Sequence, residues 1–302
     1  MTFGTLFTTL ACSVHRHALA PASPDVLFIA APAGAKWAEH DSITFYPIGT
    51  NMNAEPPHIA APELVVIGYG KFGAALVGLA HAHGIPCGAW DAERAVPDPV
   101  GVPLQACTTA AFVVLAVPVP AIRRAAQAIK PWLGQHTVVL DVGSVKVEPA
   151  DILRDVYGTE TAWVPAHPLF GPASLARGEQ PRRVVLCAAD TPHVAAAAAV
   201  RDLFERLGCV VVDVDAHTHD RKMADSHALA FFVARGIVEL GINVDEPLAP
   251  PSFQAMATTV RTVREDAGHL FDVLQNHNPY AADMRERYLE VLRRLHAELQ
   301  SS

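Results

Sequence analysis

Two short stretches of this chain hold residue types whose spacing could do chemistry. The first is Gly68-Tyr69-Gly70-Lys71-Phe72-Gly73, which follows the apolar run Leu64-Val65-Val66-Ile67 and leads into an Ala/Leu-rich segment. Gly-x-Gly-x-x-Gly between a strand and a helix is a seat for a dinucleotide. Its first glycine permits the tight turn, its second lets backbone approach a pyrophosphate with no Cβ in the way, and its third lets the helix pack close to the strand. The helix N-terminus then offers unpaired N–H groups to the phosphates. Glycines punctuate any tight turn, and here it is the flanks that carry the reading, so Gly68, Gly70, Lys71, Phe72 and Gly73 are cofactor-site candidates. The second stretch is Ala166-His167-Pro168-Leu169-Phe170-Gly171-Pro172. An imidazole with an ordinary pKa near 6.5 suits proton transfer at neutral pH, and a hydride transfer from a hydroxylated carbon needs such a base. An isolated loop histidine more often caps a turn, but the stiff frame around His167 and the nucleotide motif nearby favour catalysis.

An acid at the end of the next strand tests the nucleotide reading. Pro86-Cys87-Gly88-Ala89-Trp90-Asp91 ends on Asp91, 18 positions beyond Gly73. A carboxylate there accepts hydrogen bonds from the adenosine ribose hydroxyls, and its charge repels a 2′-phosphate, which favours NAD over NADP. The plainer alternative is a solvated turn residue opening Asp91-Ala92-Glu93-Arg94, with Arg94 free to meet a phosphate instead.

These residues need a scaffold, and the remaining pattern supplies one. Phe112-Val113-Val114-Leu115-Ala116-Val117-Pro118 and Thr137-Val138-Val139-Leu140-Asp141-Val142 read as strands that end at turns. In an open α/β sheet the ligand lies outside the carboxyl ends of the strands, so Val117, Pro118 and the turn Gly143-Ser144-Val145-Lys146 border the site. Arg183-Val184-Val185-Leu186-Cys187 and Cys209-Val210-Val211-Val212-Asp213-Val214, separated by an alanine-rich helix from Pro192 to Leu207, extend the same sheet. Beyond Asp215 the strand pattern stops. Met223, His227, Phe231 and Ala234 share one helical face, and Leu289, Val291, Leu292 and Leu295 stripe the last helix. The fold class is therefore α/β, a Rossmann-like mostly parallel sheet with a C-terminal all-helical domain. Residues 62–215 form the dinucleotide-binding domain and 216–302 a helical substrate and dimerisation domain. A helical tail of this size that cannot close its own core docks on a partner, so a homodimer is expected.

Composition narrows the partners. The 302 residues are 51% hydrophobic, enough for a sizeable core in two domains, and the net charge of −8 with no long Lys/Arg run excludes nucleic acid as the expected ligand. No stretch approaches the length of a membrane span. Cys12, Cys87, Cys107, Cys187 and Cys209 are odd in number and mostly embedded in apolar runs, as expected of reduced core residues in a cytoplasmic protein. Residues 1–61 are rich in Ala, Pro, Thr and His with no sustained periodicity, and are expected to be a flexible N-terminal extension. A secretory leader is disfavoured by the absence of Lys or Arg ahead of the first apolar stretch, and a transit peptide by the scarcity of Arg and Ser.

At this point several motifs agree in order with one family. Gly68-Tyr69-Gly70-Lys71-Phe72-Gly73, Leu115-Ala116-Val117-Pro118, Asp141-Val142-Gly143-Ser144-Val145-Lys146, His167-Pro168-Leu169-Phe170-Gly171-Pro172, His219-Asp220 and Asn278-Pro279-Tyr280-Ala281 resemble those of the TyrA family, the prephenate and arogenate dehydrogenases of tyrosine biosynthesis. The resemblance spans residues 62–295. It implies NAD-dependent oxidative decarboxylation, in which His167 takes the proton of the ring C4 hydroxyl while hydride leaves that carbon and the ring carboxylate departs as CO2. It implies that Ser144 hydrogen-bonds the histidine or the substrate hydroxyl, although a turn-closing serine explains it equally well. It points to Arg261 as the clamp on a substrate carboxylate, with Arg264 nearly one helical turn away as the competitor. The chain departs from the pattern where many members place a histidine and this one has Phe231. His227, one turn earlier, is either a substitute polar contact to the substrate or a satisfied histidine at a domain junction. His217 and His219 form a His-x-His pair without an acid or cysteine constellation, and are read as helix-entry residues rather than metal ligands.

Two rival readings accompany this one. A β-hydroxyacid-type dehydrogenase joins the same kind of domains but generally uses a lysine in the helical part, where the only lysine beyond Lys146 is Lys222. A non-catalytic NAD-sensing protein would bind the cofactor and turn over no cyclohexadienol.

Overall fold

Uninterrupted runs of Val, Ile and Leu have nowhere to go but between two covering layers, and they do so here. The computed structural model describes residues 61–265 and 269–301. Leu64–Ile67 (β1) passes through the glycine turn into Lys71–Ala82 (α1) and then Cys87–Trp90 (β2), Phe112–Leu115 (β3), Val119–Ile129 (α2), Val138–Asp141 (β4) and Val147–Tyr157 (α3). Trp163–Pro168 (β5), the short Pro172–Ala176 (α4), Arg182–Leu186 (β6), Val194–Arg206 (α5) and Cys209–Asp213 (β7) complete the sheet and its covers. The strand order is β2-β1-β3-β4-β5-β6-β7, so both later apolar runs do extend the same sheet.

The strands from β2 to β5 run parallel, β6 is antiparallel to β5, and β7 is parallel to β6. Because β6 reverses, residues 169–181 stay at the carboxyl edge of β5, beside the other strand ends. Side chains alternate strictly. Leu64 and Val66 face α1 and α5 through Leu76, Ala80, Val200 and Phe204, whereas Val65 and Ile67 face α2 and α3 through Ile122, Ile129 and Leu153.

The rest of the described chain is helical: Ala216–Met223 (α6), Leu229–Glu239 (α7), Pro251–Glu265 (α8), His269–Asn276 (α9) and Ala281–Gln300 (α10). Asp215 caps α6 by accepting from Thr218 N–H at 2.8 Å. A π-turn over Ala224–Ala228 joins α6 to α7. The wide turn corrects the expected face: the buried line is Ala224, Ala228, Phe231 and Ala234, while Met223 and His227 sit half-buried at its margin. The extra residue in that turn rotates everything upstream of it relative to the helix below.

The helices close a small core of their own around Phe231, Val244, Val260, Val263 and Leu274. They are tied to the sheet layer by Ala216 against Ala150, Val185 and Cys187, by Val273, and by His277 Nδ1 against Glu148 Oε2 at 2.7 Å. In α10 only Ala281 is buried, and Val291, Leu292, Leu295 and Leu299 face outward. Cys87, Cys107, Cys187 and Cys209 are buried free thiols, and burial pushes Cys87 up to about 12. Cys12 and the N-terminal extension lie outside the described residues. No helix among those described is long and apolar enough to cross a membrane.

Candidate active site

The glycine turn has the shape that its sequence demands. Gly68 adopts φ +103°, and a Cβ on it would stand 2.5 Å from Ala116 O and 2.9 Å from Val117 Cγ1. Its N–H donates to Trp90 O at 2.8 Å, so the turn lies between the ends of β2 and β3, where the strand order reverses about β1. A Cβ on Gly73 would come within 1.9 Å of Gly68 O, which is the close helix-to-strand approach the third glycine exists for. Gly70 sits at the N-cap of α1 with no side chain capping the first turn, leaving those N–H groups for a ligand. Arg94 reaches over it, with Nη1 2.9 Å from the position of a Cβ. Lys71 is exposed and Phe72 half-buried.

Asp91 is tied to this turn directly. Its Oδ2 accepts from Tyr69 N–H at 2.7 Å, and its Oδ1 accepts from Glu93 and Arg94 N–H at 2.8 and 2.9 Å. Partial burial pushes the carboxyl up, but the three backbone bonds and the Arg94 charge outweigh it and hold Asp91 below the usual carboxylate range. A groove of about 300 Å³ opens beside it, lined by Trp90, Arg94, Val96 and Val102 among others. The uncapped α1 N-terminus, the glycine cradle and this acid together fit a dinucleotide. Val117 and Pro118 border the same edge at the end of β3.

His167 lies at the carboxyl end of β5, only 4% exposed. Its loop reaches back to the nucleotide turn through Phe170, whose ring centroid is 6.4 Å from that of Phe72. His167 Nδ1 bonds His219 Nε2 at 2.8 Å, and His219 Nδ1 bonds Asp220 Oδ1 at 2.7 Å. The rings of the two histidines meet edge-on, 77° apart. Asp220 in turn caps α3, accepting from Lys146 N–H at 2.8 Å and Val147 N–H at 2.9 Å, while its carbonyl accepts from Asn278 Nδ2 at 2.8 Å. Among the described residues His167 Nε2 has no hydrogen-bond partner. Burial first, then the charges of His219, Lys146 and His227, hold His167 well below the usual imidazole range, so the ring is uncharged at neutral pH.

Beneath the pair lies a buried lysine. Lys146 Nζ pairs with Asp141 Oδ2 and donates to Ala166 O at 2.6 Å, fixing the backbone immediately before His167. Both partners are fully buried, and Asp141 Oδ1 has no hydrogen-bond partner. Burial pushes the Asp141 carboxyl up against the pull of the Lys146 ammonium.

The remaining candidates are placed differently. Ser144 is half-buried in the turn after β4 and makes no hydrogen bond to His167. His227 lies in the π-turn with its ring 4.8 Å from that of Phe231, near enough for its charge to act on His167. Arg261 is half-exposed on α8, with Nε and Nη2 both on Asp245 Oδ1, at 3.1 and 2.7 Å, and no bond to the histidine pair. Arg264 is exposed at the end of the same helix. The reading of His219 as a helix-entry residue is corrected: it is 1% exposed and turned inward onto His167, because the polar side of α6 meets the end of β5 there instead of solvent.

Comparisons with known proteins agree with this geometry. Residues 89–213 match the family model described as the nucleotide-binding domain of prephenate dehydrogenase. A probable arogenate/prephenate dehydrogenase of Methanocaldococcus jannaschii is 21% identical over 194 residues, covering 62% of this chain and 43% of that one. The 4-amino-4-deoxyprephenate dehydrogenase of Streptomyces pristinaespiralis is 29% identical over 217 residues, 70% of each. This chain thus spans less than half the length of the archaeal relative. Among solved structures, the prephenate dehydrogenase of A. aeolicus in complex with hydroxyphenyl propionate and NAD+ superposes with a TM-score of 0.57 at 17% identity, covering 81% of this chain and 94% of that one. That likeness shows a shared fold.

Proposed function

We propose that this chain, whose residues 89–213 match the nucleotide-binding domain of prephenate dehydrogenase, is a member of the prephenate and arogenate dehydrogenase family and catalyses the NAD-dependent oxidative decarboxylation of prephenate or arogenate in tyrosine biosynthesis. The observation that carries the reading is His167: a buried imidazole whose Nε2 has no hydrogen-bond partner among the described residues, on the same sheet edge as the glycine turn and joined to it through Phe170 and Phe72. Gly68, Gly70, Lys71, Phe72, Gly73, Asp91, Val117 and Pro118 would hold the cofactor. NAD+ bound there would supply the acceptor for the hydride of the hydroxyl-bearing ring carbon, the ring carboxylate leaving as CO2. His167 Nε2 accepts the hydroxyl proton as carbonyl character develops at that carbon. Once the ring is aromatic the proton returns to the oxygen, so none remains on the protein.

Arg261 is the proposed clamp for a substrate carboxylate, exchanging Asp245 for the ligand and so keeping one charge-assisted pair throughout. Ser144 and His227, both half-buried, are the proposed polar contacts to the substrate. The outward apolar stripe of α10 is the proposed face of a homodimer, and the protein is proposed to work in the cytoplasm. The test is reduction of NAD+ and NADP+ followed at 340 nm with prephenate, arogenate and 4-amino-4-deoxyprephenate in parallel, on the native protein and on His167→Asn. His167→Asn is expected to lose about 10²- to 10⁴-fold in kcat with the KM for NAD+ unchanged. Cofactor binding without turnover of any of the three would leave a sensing protein, and an unimpaired His167→Asn would remove the base.

A further inference from the structure

We propose that His219 is a positioning residue that holds His167 in its Nδ1–H tautomer and thereby keeps Nε2 bare to receive the substrate proton, an inference that rests on the reading of His167 as the base. The order of protons along the chain follows from its far end. Asp220, as a carboxylate, has only acceptors, and it is fixed in place by the N–H groups of Lys146 and Val147 at the start of α3. Its 2.7 Å contact with His219 Nδ1 therefore requires the proton to be on that nitrogen. Where that is the single proton of the His219 ring, its Nε2 carries a lone pair. The 2.8 Å contact between His219 Nε2 and His167 Nδ1 then needs its proton from His167. With Nδ1 of His167 occupied in this way, its Nε2 is the acceptor.

The same chain acts when His167 is charged. A proton taken by Nε2 leaves Nδ1–H donating to His219, and the bond between them becomes charge-assisted, with the Asp220 carboxylate at the other end of the file. Ser144, the residue expected to orient the base, makes no hydrogen bond to it, so the orientation falls to His219. Lys146 holds only the backbone at Ala166 O and does not touch the imidazole.

Protein labelled with ¹⁵N-histidine tests the proton order by two-bond ¹H–¹⁵N correlation without any substrate. His167 and His219 are each expected to carry their proton on Nδ1 near pH 7.5, the signals being assigned by their loss in His167→Asn and His219→Leu. Finding His167 protonated on Nε2 in the native protein overturns the proposal, and the variants serve only to assign the signals. In turnover, His219→Leu is expected to lose about 10²-fold or more in kcat with the KM for NAD+ within about twofold. His219→Gln, whose amide oxygen can accept the same bond, is expected to recover about tenfold of that loss. Full kcat in His219→Leu alongside a crippled His167→Asn overturns the role of His219 and leaves the base in place. Full kcat in both removes the base and the positioning role together.

Discussion

A buried histidine whose protonated form is disfavoured writes its signature on stability as well as on rate. Burial holds His167 well below its ordinary value of about 6.5. Between the folded and unfolded pKa values the unfolded chain binds the extra proton, so stability rises with pH across that window. The contribution of His167 is therefore complete above about pH 6.5 and is lost as the pH falls below it. Urea midpoints measured at pH 8.0, 6.5 and 5.5 are expected to fall at the acid end, and His167→Asn to flatten that dependence. An equal acid-side decline in the variant would assign it to other groups. Lys146 makes a second prediction. Lys146→Met leaves Asp141 buried without its counter-charge and Ala166 O without its donor, and is expected to destabilise the fold by about 3–5 kcal/mol. Replacing both partners, Asp141→Leu with Lys146→Met, is expected to recover at least half of that in urea unfolding, since two apolar side chains impose no charge burial.

At the scale of elements, the glycine turn shows why some of the site is readable from sequence. Its constraint is local: Gly73 meets Gly68 and Val66, and Gly68 meets the adjoining strand end at Ala116 and Val117, so residue types and spacing carry the geometry. Gly73→Ala would place a Cβ 1.9 Å from Gly68 O and push α1 off β1. It is expected to abolish binding of NAD+ in titration calorimetry and lower the melting temperature by several degrees, as a loss of about 1–3 kcal/mol implies. Binding at native affinity would show that the approach of helix to strand is not needed. His167 was legible for a similar reason, because prolines and a glycine fence it within its own segment. His219 was not: its partner lies 52 residues away, and a His-Asp pair at the start of a helix has the same appearance whether it faces water or a strand end. Lys146 was hidden by its type, since lysine is read as surface, and the π-turn leaves no mark in an apolar spacing that assumes 3.6 residues per turn. The bond of Arg261 to Asp245 was hidden too, since it lies across a loop that periodicity does not address.

For the molecule as a whole, the unequal burial of its helices identifies the surface that remains to be covered. Phe231, Val260 and Leu274 close a core between α7, α8 and α9, yet α10 contributes little to it after Ala281. Val291 and Leu292, at 39% and 41% exposed, share one turn, Leu295 at 46% lies on the next and Leu299 on the one after, along a 20-residue helix. Such a helix runs about 30 Å, long enough to form the centre of a self-complementary interface of standard size. A second copy of the same helix answers the stripe with the same stripe, which is the geometry of a two-fold dimer. Leu292→Glu with Leu295→Glu would put two carboxylates at the centre of that contact and four across the pair. The native protein is expected to sediment at twice the mass of one chain at micromolar concentration, and the double variant at the mass of a single chain with its far-ultraviolet circular dichroism unchanged. A native protein that sediments as one chain would show that α10 serves some other contact.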